Sequence, residues 1–269
     1  MKEEWRLIIH PPDRGARNMA VDLALLNSLA RRSGPPVLRL YSWSPPAVTI
    51  GYFQRMEDEV RIDECRAMGV EVIRRVTGGG AVFHDNEITY SIFIPLSHRL
   101  AVSSIRESYS LLCAPIVDCL RGLGLDARFS PVNDVLVEGA KVSGSAQTRR
   151  NGVLLQHGTL LIGVDAELMF RVLNVAKEKS AATASGAPEG RVTSLEALLG
   201  DRARGENFAG DLGRRLALAF EERLGCDFVE SGLSVEEKRD ALRMEEGLFR
   251  KEEWNRDRSI RPVFGGSPD

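Results

Sequence analysis

The stretch Arg74-Arg75-Val76-Thr77-Gly78-Gly79-Gly80-Ala81-Val82-Phe83-His84-Asp85 sets three consecutive glycines between two segments of strand character. Each glycine gives up side-chain burial and carries an entropic cost of roughly 0.5 to 1 kcal/mol against alanine inside a regular element. Three together are hard to justify as packing. Two readings stand: a glycine-rich hairpin turn, or a loop kept bare so that a ligand can lie against its backbone. Nucleotide motifs do not decide between them. No G-x-G-x-x-G is present, and Gly139 with Gly144 has the offset of a P-loop but carries Ser145 where its lysine should stand.

Outward from the glycines, alternation and turn chemistry predict the framework. Residues 70–76 lead into the run as a strand, and 81–85 with 88–95 lead out as two more. Upstream, strands over 37–43 and 47–53 flank the turn Ser44-Pro45-Pro46, after a helix over 18–32 N-capped by Asn18 and before a short helix over 62–68. Downstream, Ile105, Tyr109, Leu112, Ile116, Cys119 and Leu123 recur at helical spacing, which predicts a sheet-covering helix over 103–123 kinked at Pro115. Strands over 133–138, 141–149 and 153–164 follow, the last two joined by Asn151-Gly152, a type I′ hairpin signal. From Asp165 the pattern turns helical, with helices over 194–199, 207–224 and 234–248, a mobile loop over 177–190 and a frayed tail over 265–269. The class is α+β, a mixed, largely antiparallel sheet flanked by helices.

A chain of 269 residues, 43% hydrophobic and 28% charged, buries a sizeable core as one large domain or as one domain with a small appendage. The net charge of −2 gives no global pull toward nucleic acid or an anionic membrane. Cys65, Cys113, Cys119 and Cys226 are scattered, without C-x-x-C pairing or a histidine at metal-ligand spacing, and read as buried or free thiols. The first residues have no apolar core of signal-peptide length, and no stretch is apolar enough for a membrane span. The expected location is the cytoplasm.

A second constellation is Asn133-Asp134-Val135-Leu136-Val137-Glu138-Gly139-Ala140-Lys141-Val142-Ser143-Gly144-Ser145-Ala146-Gln147, followed by Gln156-His157-Gly158-Thr159. A lysine in a strand that turns into small residues suits contact with an anionic oxygen, because an ammonium is a compact point charge and small neighbours leave room for substrate. Lys141 is therefore the leading candidate for chemistry, against the alternative of a solvated surface residue. Asp134 beside Asn133 offers oxygen to a hard cation, or simply starts a strand. His84 and His157 read as structural hydrogen-bonders rather than general bases.

Together these segments resemble the lipoate-protein ligase A family, within the wider group of biotin and lipoate ligases and octanoyltransferases. The likeness rests on the run 74–85, on Asn133-Asp134, on Lys141-Val142-Ser143-Gly144-Ser145-Ala146-Gln147 and on His157-Gly158-Thr159-Leu160-Leu161. Weaker support comes from Asn18-Met19-Ala20-Val21-Asp22, Arg39-Leu40-Tyr41 and Glu252-Glu253-Trp254-Asn255, so that it covers roughly residues 5–256. The resemblance implies a biotin/lipoyl-ligase-like catalytic domain over 1–256 and a tail over 257–269. It implies an enzyme that activates lipoate or octanoate with ATP and Mg2+ to an acyl adenylate, then acylates a lysine of lipoyl domains or of glycine-cleavage H protein.

Residue by residue, the resemblance gives Lys141 the acyl-phosphate oxygens, Asp134 the metal and phosphates, and the glycine loop Gly78, Gly79 and Gly80 the acyl chain and carboxyl, with Arg75 near the ligand and Thr77, Ala81 and His84 among the substrate-binding residues. Asn133, Ser143, Gly144, Ser145, Ala146, His157, Gly158 and Thr159 complete the substrate-binding set, and the loop over 177–190 folds over the adenylate. The rival within the group is cysteine-dependent octanoyl transfer, which needs a nucleophilic thiol near the site. Residues 126–140 hold no cysteine, nor does Val153-Leu154-Leu155, although Asn86-Glu87-Ile88-Thr89-Tyr90-Ser91 looks closer to the transferases. A homologue that binds lipoyl domains without turnover is a third reading. Only fourteen residues follow Glu252-Glu253-Trp254-Asn255, so the accessory domain of single-chain ligases is expected to be absent and a small accessory subunit to act in trans.

Overall fold

The computed structural model describes residues 2–32, 34–174 and 192–263. The loop expected over 177–190 and the tail expected over 265–269 lie outside the described residues.

The main sheet contains β1 (Glu3–Ile9), β2 (Val37–Tyr41), β6 (Glu87–Pro95), β7 (Ala127–Ser130), β8 (Asp134–Val137), β9 (Ala140–Arg150), β10 (Val153–Leu161) and β11 (Cys226–Glu230). Their spatial order is β11, β1, β2, β6, β10, β9, β8, β7. β1 pairs in parallel with both neighbours, and the other pairs are antiparallel. A smaller sheet joins β3 (Ala47–Ile50), the parallel β4 (Glu71–Arg74) and the antiparallel β5 (Val82–His84). The fold is thus the mixed, largely antiparallel α+β arrangement that the sequence predicts.

Three strands escape the pattern analysis: β1, the four-residue β7, and β11 at the sheet edge. Asn18, expected as an N-cap, sits one turn inside α1 (Gly15–Arg31). The helix starts earlier because Asn18 spends its amide on the carbonyls of Asp13 and Ser42, tying the helix to the turn after β2. After the short helices α2 (Met56–Glu59) and α3 (Ile62–Ala67), Pro115 lies inside α4 (Ile105–Gly122), which runs unbroken through it.

The period of two along the central strands sorts their side chains. In β6, Ile88, Tyr90, Ile92 and Ile94 join one core, under α4 and the helix Phe208–Leu224. Phe93 faces the other core, under α1 and the helix Val235–Met244, and the alternation puts Glu87, Thr89 and Ser91 on that same side. Arg39 and Tyr41 of β2, with His157 and Thr159 of β10, share this face by the same count. α1 fills half of it with Leu23, Leu26 and their neighbours and leaves the polar half to a cavity.

Arg74 closes the chain. Its fully buried guanidinium donates to the carbonyls of Trp254, Asn255 and Arg256 on one side and of Gly51, Tyr52 and Gln54 on the other. Trp254 answers by donating its indole N–H to the Arg74 carbonyl at 2.9 Å and packs edge-on against Phe249 and Tyr52. We expect Trp254→Ala to cost about 3–5 kcal/mol by the cavity it leaves and to lower Tm by roughly 10 °C. Thermal unfolding followed by circular dichroism checks this; an unchanged Tm would detach the C-terminal hook from the cooperative unit.

Candidate functional site

On the polar half of the sheet face lies a cavity of about 140 Å³, bounded by the glycine loop, by β9 and β10, and by Met19, Tyr41, Trp43, Thr49, Val82 and Thr89. That volume is well below the roughly 300–1,000 Å³ of drug-sized pockets and suits a slender ligand. Of the residues singled out in the sequence, Arg75, Gly79, Gly80, Ala81, His84, Asn133, Lys141, Gly144, Ser145, Ala146, His157, Gly158 and Thr159 line it. Thr77, Gly78, Asp134 and Ser143 do not. Ser143 is 1% exposed and its hydroxyl finds no hydrogen-bond partner among the described residues.

Arg75 shapes the wall as much as it faces the cavity. Nη2 donates to the carbonyls of Gly78 at 2.7 Å and Gly80 at 2.8 Å, Nη1 donates to the Thr49 carbonyl at 3.1 Å, and Nε donates to Thr77 Oγ1 at 3.1 Å. Burial pulls its pKa down to about 10, which still leaves it charged at neutral pH. Gly79 has φ +95°, and a Cβ there would stand 2.8 Å from Arg75 Nη2. A Cβ on Gly51 would run into the Gly79 carbonyl oxygen, so this glycine at the end of β3 lets the loop fold down. Nothing in its local sequence marks it.

The partly exposed charge beside the cavity is an ion pair. Lys141 Nζ lies 2.7 Å from Asp134 Oδ1, a charge contact without hydrogen-bond alignment, and both side chains are about one-third exposed. A Cβ on Gly144 would collide with the end of the Lys141 side chain, so that glycine makes room for the ammonium. Asn133 Nδ2 donates to the Ser145 carbonyl at 2.5 Å, and the Ser145 N–H donates back to the Asn133 carbonyl, which fixes the approach of β8 to β9.

The two histidines that line the cavity are engaged on both ring nitrogens. His84 lies 2.8 Å from Thr49 Oγ1 and from Glu87 Oε1 and stacks on Trp43 with ring centroids 4.0 Å apart. His157 bridges Thr77 Oγ1 at 2.7 Å and Asp22 Oδ2 at 3.3 Å, and burial lowers its pKa against the opposing pull of Asp22. These bonds hold them as structural residues. No cysteine lines the cavity. Cys113 is fully buried behind Ser145, with Sγ 3.5 Å from Ser145 Oγ, and burial pushes its thiol up to about 11.

Comparison with known proteins agrees with this geometry. Residues 14–217 match the family model described as the lipoyl protein ligase A/B catalytic domain. The chain is 36% identical to octanoyltransferase LipM of Kyrpidia tusciae, over 94% of this chain and 98% of that protein. It is 33% identical to octanoyltransferase LipM of Clostridioides difficile, over 95% and 99%. Among solved structures, the bi-partite lipoate protein ligase of Thermoplasma acidophilum, studied with its E2 lipoyl domain, superposes with a TM-score of 0.84 at 29% identity, covering 97% of this chain and 99% of that one. A lipoate-protein ligase A bound with ATP gives 0.80 at 27%, covering 95% and 98%.

The close approach of Gly51 to Gly79 makes a test. Gly51→Ala is expected to displace the glycine loop and weaken binding of lipoate or octanoate at least about tenfold, whereas Gly122→Ala, which meets nothing within 4 Å, leaves it unchanged. Calorimetric titration of the acids into both variants decides the matter, and an unaffected Gly51→Ala would remove the loop from the binding wall.

Proposed function

This chain belongs to the lipoyl protein ligase A/B catalytic-domain family, and within it we propose that the protein is an ATP-dependent lipoate-protein ligase. The observation that supports the reading is the make-up of the cavity: the Lys141 ammonium in its lining, paired with the Asp134 carboxylate beside it, and no thiol in its wall. The slender cavity takes the acyl chain of lipoate or octanoate and leaves the carboxyl toward Lys141. The carboxylate oxygen attacks the α-phosphate of ATP; pyrophosphate leaves and an acyl-AMP mixed anhydride forms. The amine of an acceptor lysine, on a lipoyl domain or a glycine-cleavage H protein, then attacks the acyl carbonyl. The C–O bond breaks, AMP departs and an amide remains, with the amine proton passing to solvent.

An amine does not displace oxide from a carboxylate, and AMP becomes a competent leaving group only where its charge is held. Lys141 supplies that charge in place, before the transition state needs it. Arg75 and the glycine loop hold the substrate against bare main chain. Magnesium is bound in proteins by one or two carboxylates together with substrate phosphates, and Asp134, about one-third exposed and with an Oδ1 that lacks a hydrogen-bond partner among the described residues, fits that use; the ion would neutralise phosphate charge there.

A second reading is favoured by the relatives' names: octanoyl transfer through a protein thioester, in which Cys113 would be the nearest thiol. It requires a thiolate, and burial opposes one at this position. Acyl hydroxamate trapping and mass spectrometry of an acceptor domain separate the two, with and without a small accessory subunit in the mixture. We expect acylation that depends on ATP, falls by about 10²-fold or more in Lys141→Ala and persists in Cys113→Ala. Transfer from an octanoyl thioester without ATP, abolished in Cys113→Ala, would establish the transferase instead.

A further inference from the structure

The mechanism above leaves the buried carboxylate of Asp22 unused. Asp22 on α1 lies beneath the cavity floor rather than in it. Its Oδ1 accepts from Arg39 Nη1 at 2.6 Å, and its Oδ2 accepts from Ser91 Oγ at 2.7 Å. Burial alone would raise its pKa, but Arg39, His157 and Ser91 outweigh burial and hold it below the usual carboxylate range. An ionised carboxylate only accepts hydrogen bonds.

That constraint propagates. His157 Nδ1, 3.3 Å from Asp22 Oδ2, must carry the proton, so in the neutral ring Nε2 is left as an acceptor. The Thr77 hydroxyl, 2.7 Å away, then donates to Nε2 and keeps its oxygen for the Arg75 Nε–H at 3.1 Å. Arg75 in turn grips the carbonyls of Gly78 and Gly80. Each donor in this line has its direction set by the acid at the far end.

We propose that Asp22 is a positioning residue for the acyl site, setting the glycine-loop wall through His157, Thr77 and Arg75. The proposal rests on the cavity being the acyl site, but not on how the acyl group is activated. A histidine in this relay orients the loop, and its neighbour Thr77 acts behind the wall without touching substrate.

Two substitutions and one spectroscopic signature test it. Thr77→Val keeps the shape and removes the O–H link, whereas Thr77→Ser keeps the link. Binding of free lipoate or octanoate, measured without ATP or acceptor, is expected to weaken about tenfold in Thr77→Val, the size of one lost hydrogen bond to a charged group. KM for the acid should rise by a similar factor with kcat changed far less, and Thr77→Ser should restore both. In 15N-histidine protein, long-range 1H–15N correlation should find the His157 proton on Nδ1 in the parent chain and a shift toward the Nε2 form in Asp22→Asn. Equal affinity in Thr77→Val and Thr77→Ser, or a parent His157 protonated on Nε2, overturns the proposal. If Asp22→Asn fails to fold, the parent tautomer and the Thr77 pair still decide. Should neither acid bind the parent chain, the acyl-site reading fails, and the tautomer alone judges the relay.

Discussion

A carboxylate taken out of water has to be paired, and the pairing of Asp22 with Arg39 organises this molecule. Both side chains are nearly inaccessible, one on α1 and the other on β2. Arg39 also donates to the carbonyl and side chain of Asn18, so that the helix cannot slide along the sheet without leaving a charge unsatisfied. Ser91 brings in β6, and His157 brings in β10. An apolar interface would have tolerated small shifts of α1; this polar one selects a single register and thereby fixes where the sheet face stops being core and becomes cavity.

How much of this was legible in the sequence depended on whether a feature leaves a periodic or compositional trace. The glycine run, the alternating β6 and β10, and the apolar stripe of α4 all do, so most of the sheet and its helices followed from pattern, while most of the cavity wall was named through the family resemblance. β7 is four residues long and alternates only once or twice, and β11 pairs in parallel at an edge where exposure blurs the period. Arg74 works entirely through backbone carbonyls, which no side-chain pattern announces. Gly51 matters for the atom it lacks, against a residue distant in sequence. Tyr41, Trp43 and Thr89 reach the cavity only because the pleat turns them to the α1 side, and their local sequence carries no sign of a ligand.

On the reading proposed above, ligase and transferase chemistries can share such a scaffold because both begin with the same thing: a thin acyl chain held along bare main chain with its carbonyl at a polar mouth. What differs is the group that waits at that mouth. Here Lys141 and Asp134 form the partly exposed charge pair, while the Cys113 thiol is sealed behind Ser145 among Tyr90 and Gln156. A change of chemistry would therefore require placing a thiol on the cavity side of the β8 and β9 hairpin, with little alteration of the pocket itself.

The clamp at Arg74 also has a meaning in time. Arg74 and Trp254 are 180 residues apart in the chain. At synthesis rates of about 5–20 residues per second, the guanidinium waits roughly 10 to 40 s for the carbonyls that will surround it. A nascent chain still on the ribosome can build the small sheet and the start of the large one, yet the strand that carries the glycine loop stays open at its other end. The base of the glycine-loop strand thereby gains its last partners only once residues 254–256 have emerged, and a polypeptide truncated before residue 254 would leave the buried guanidinium without three of its six carbonyls.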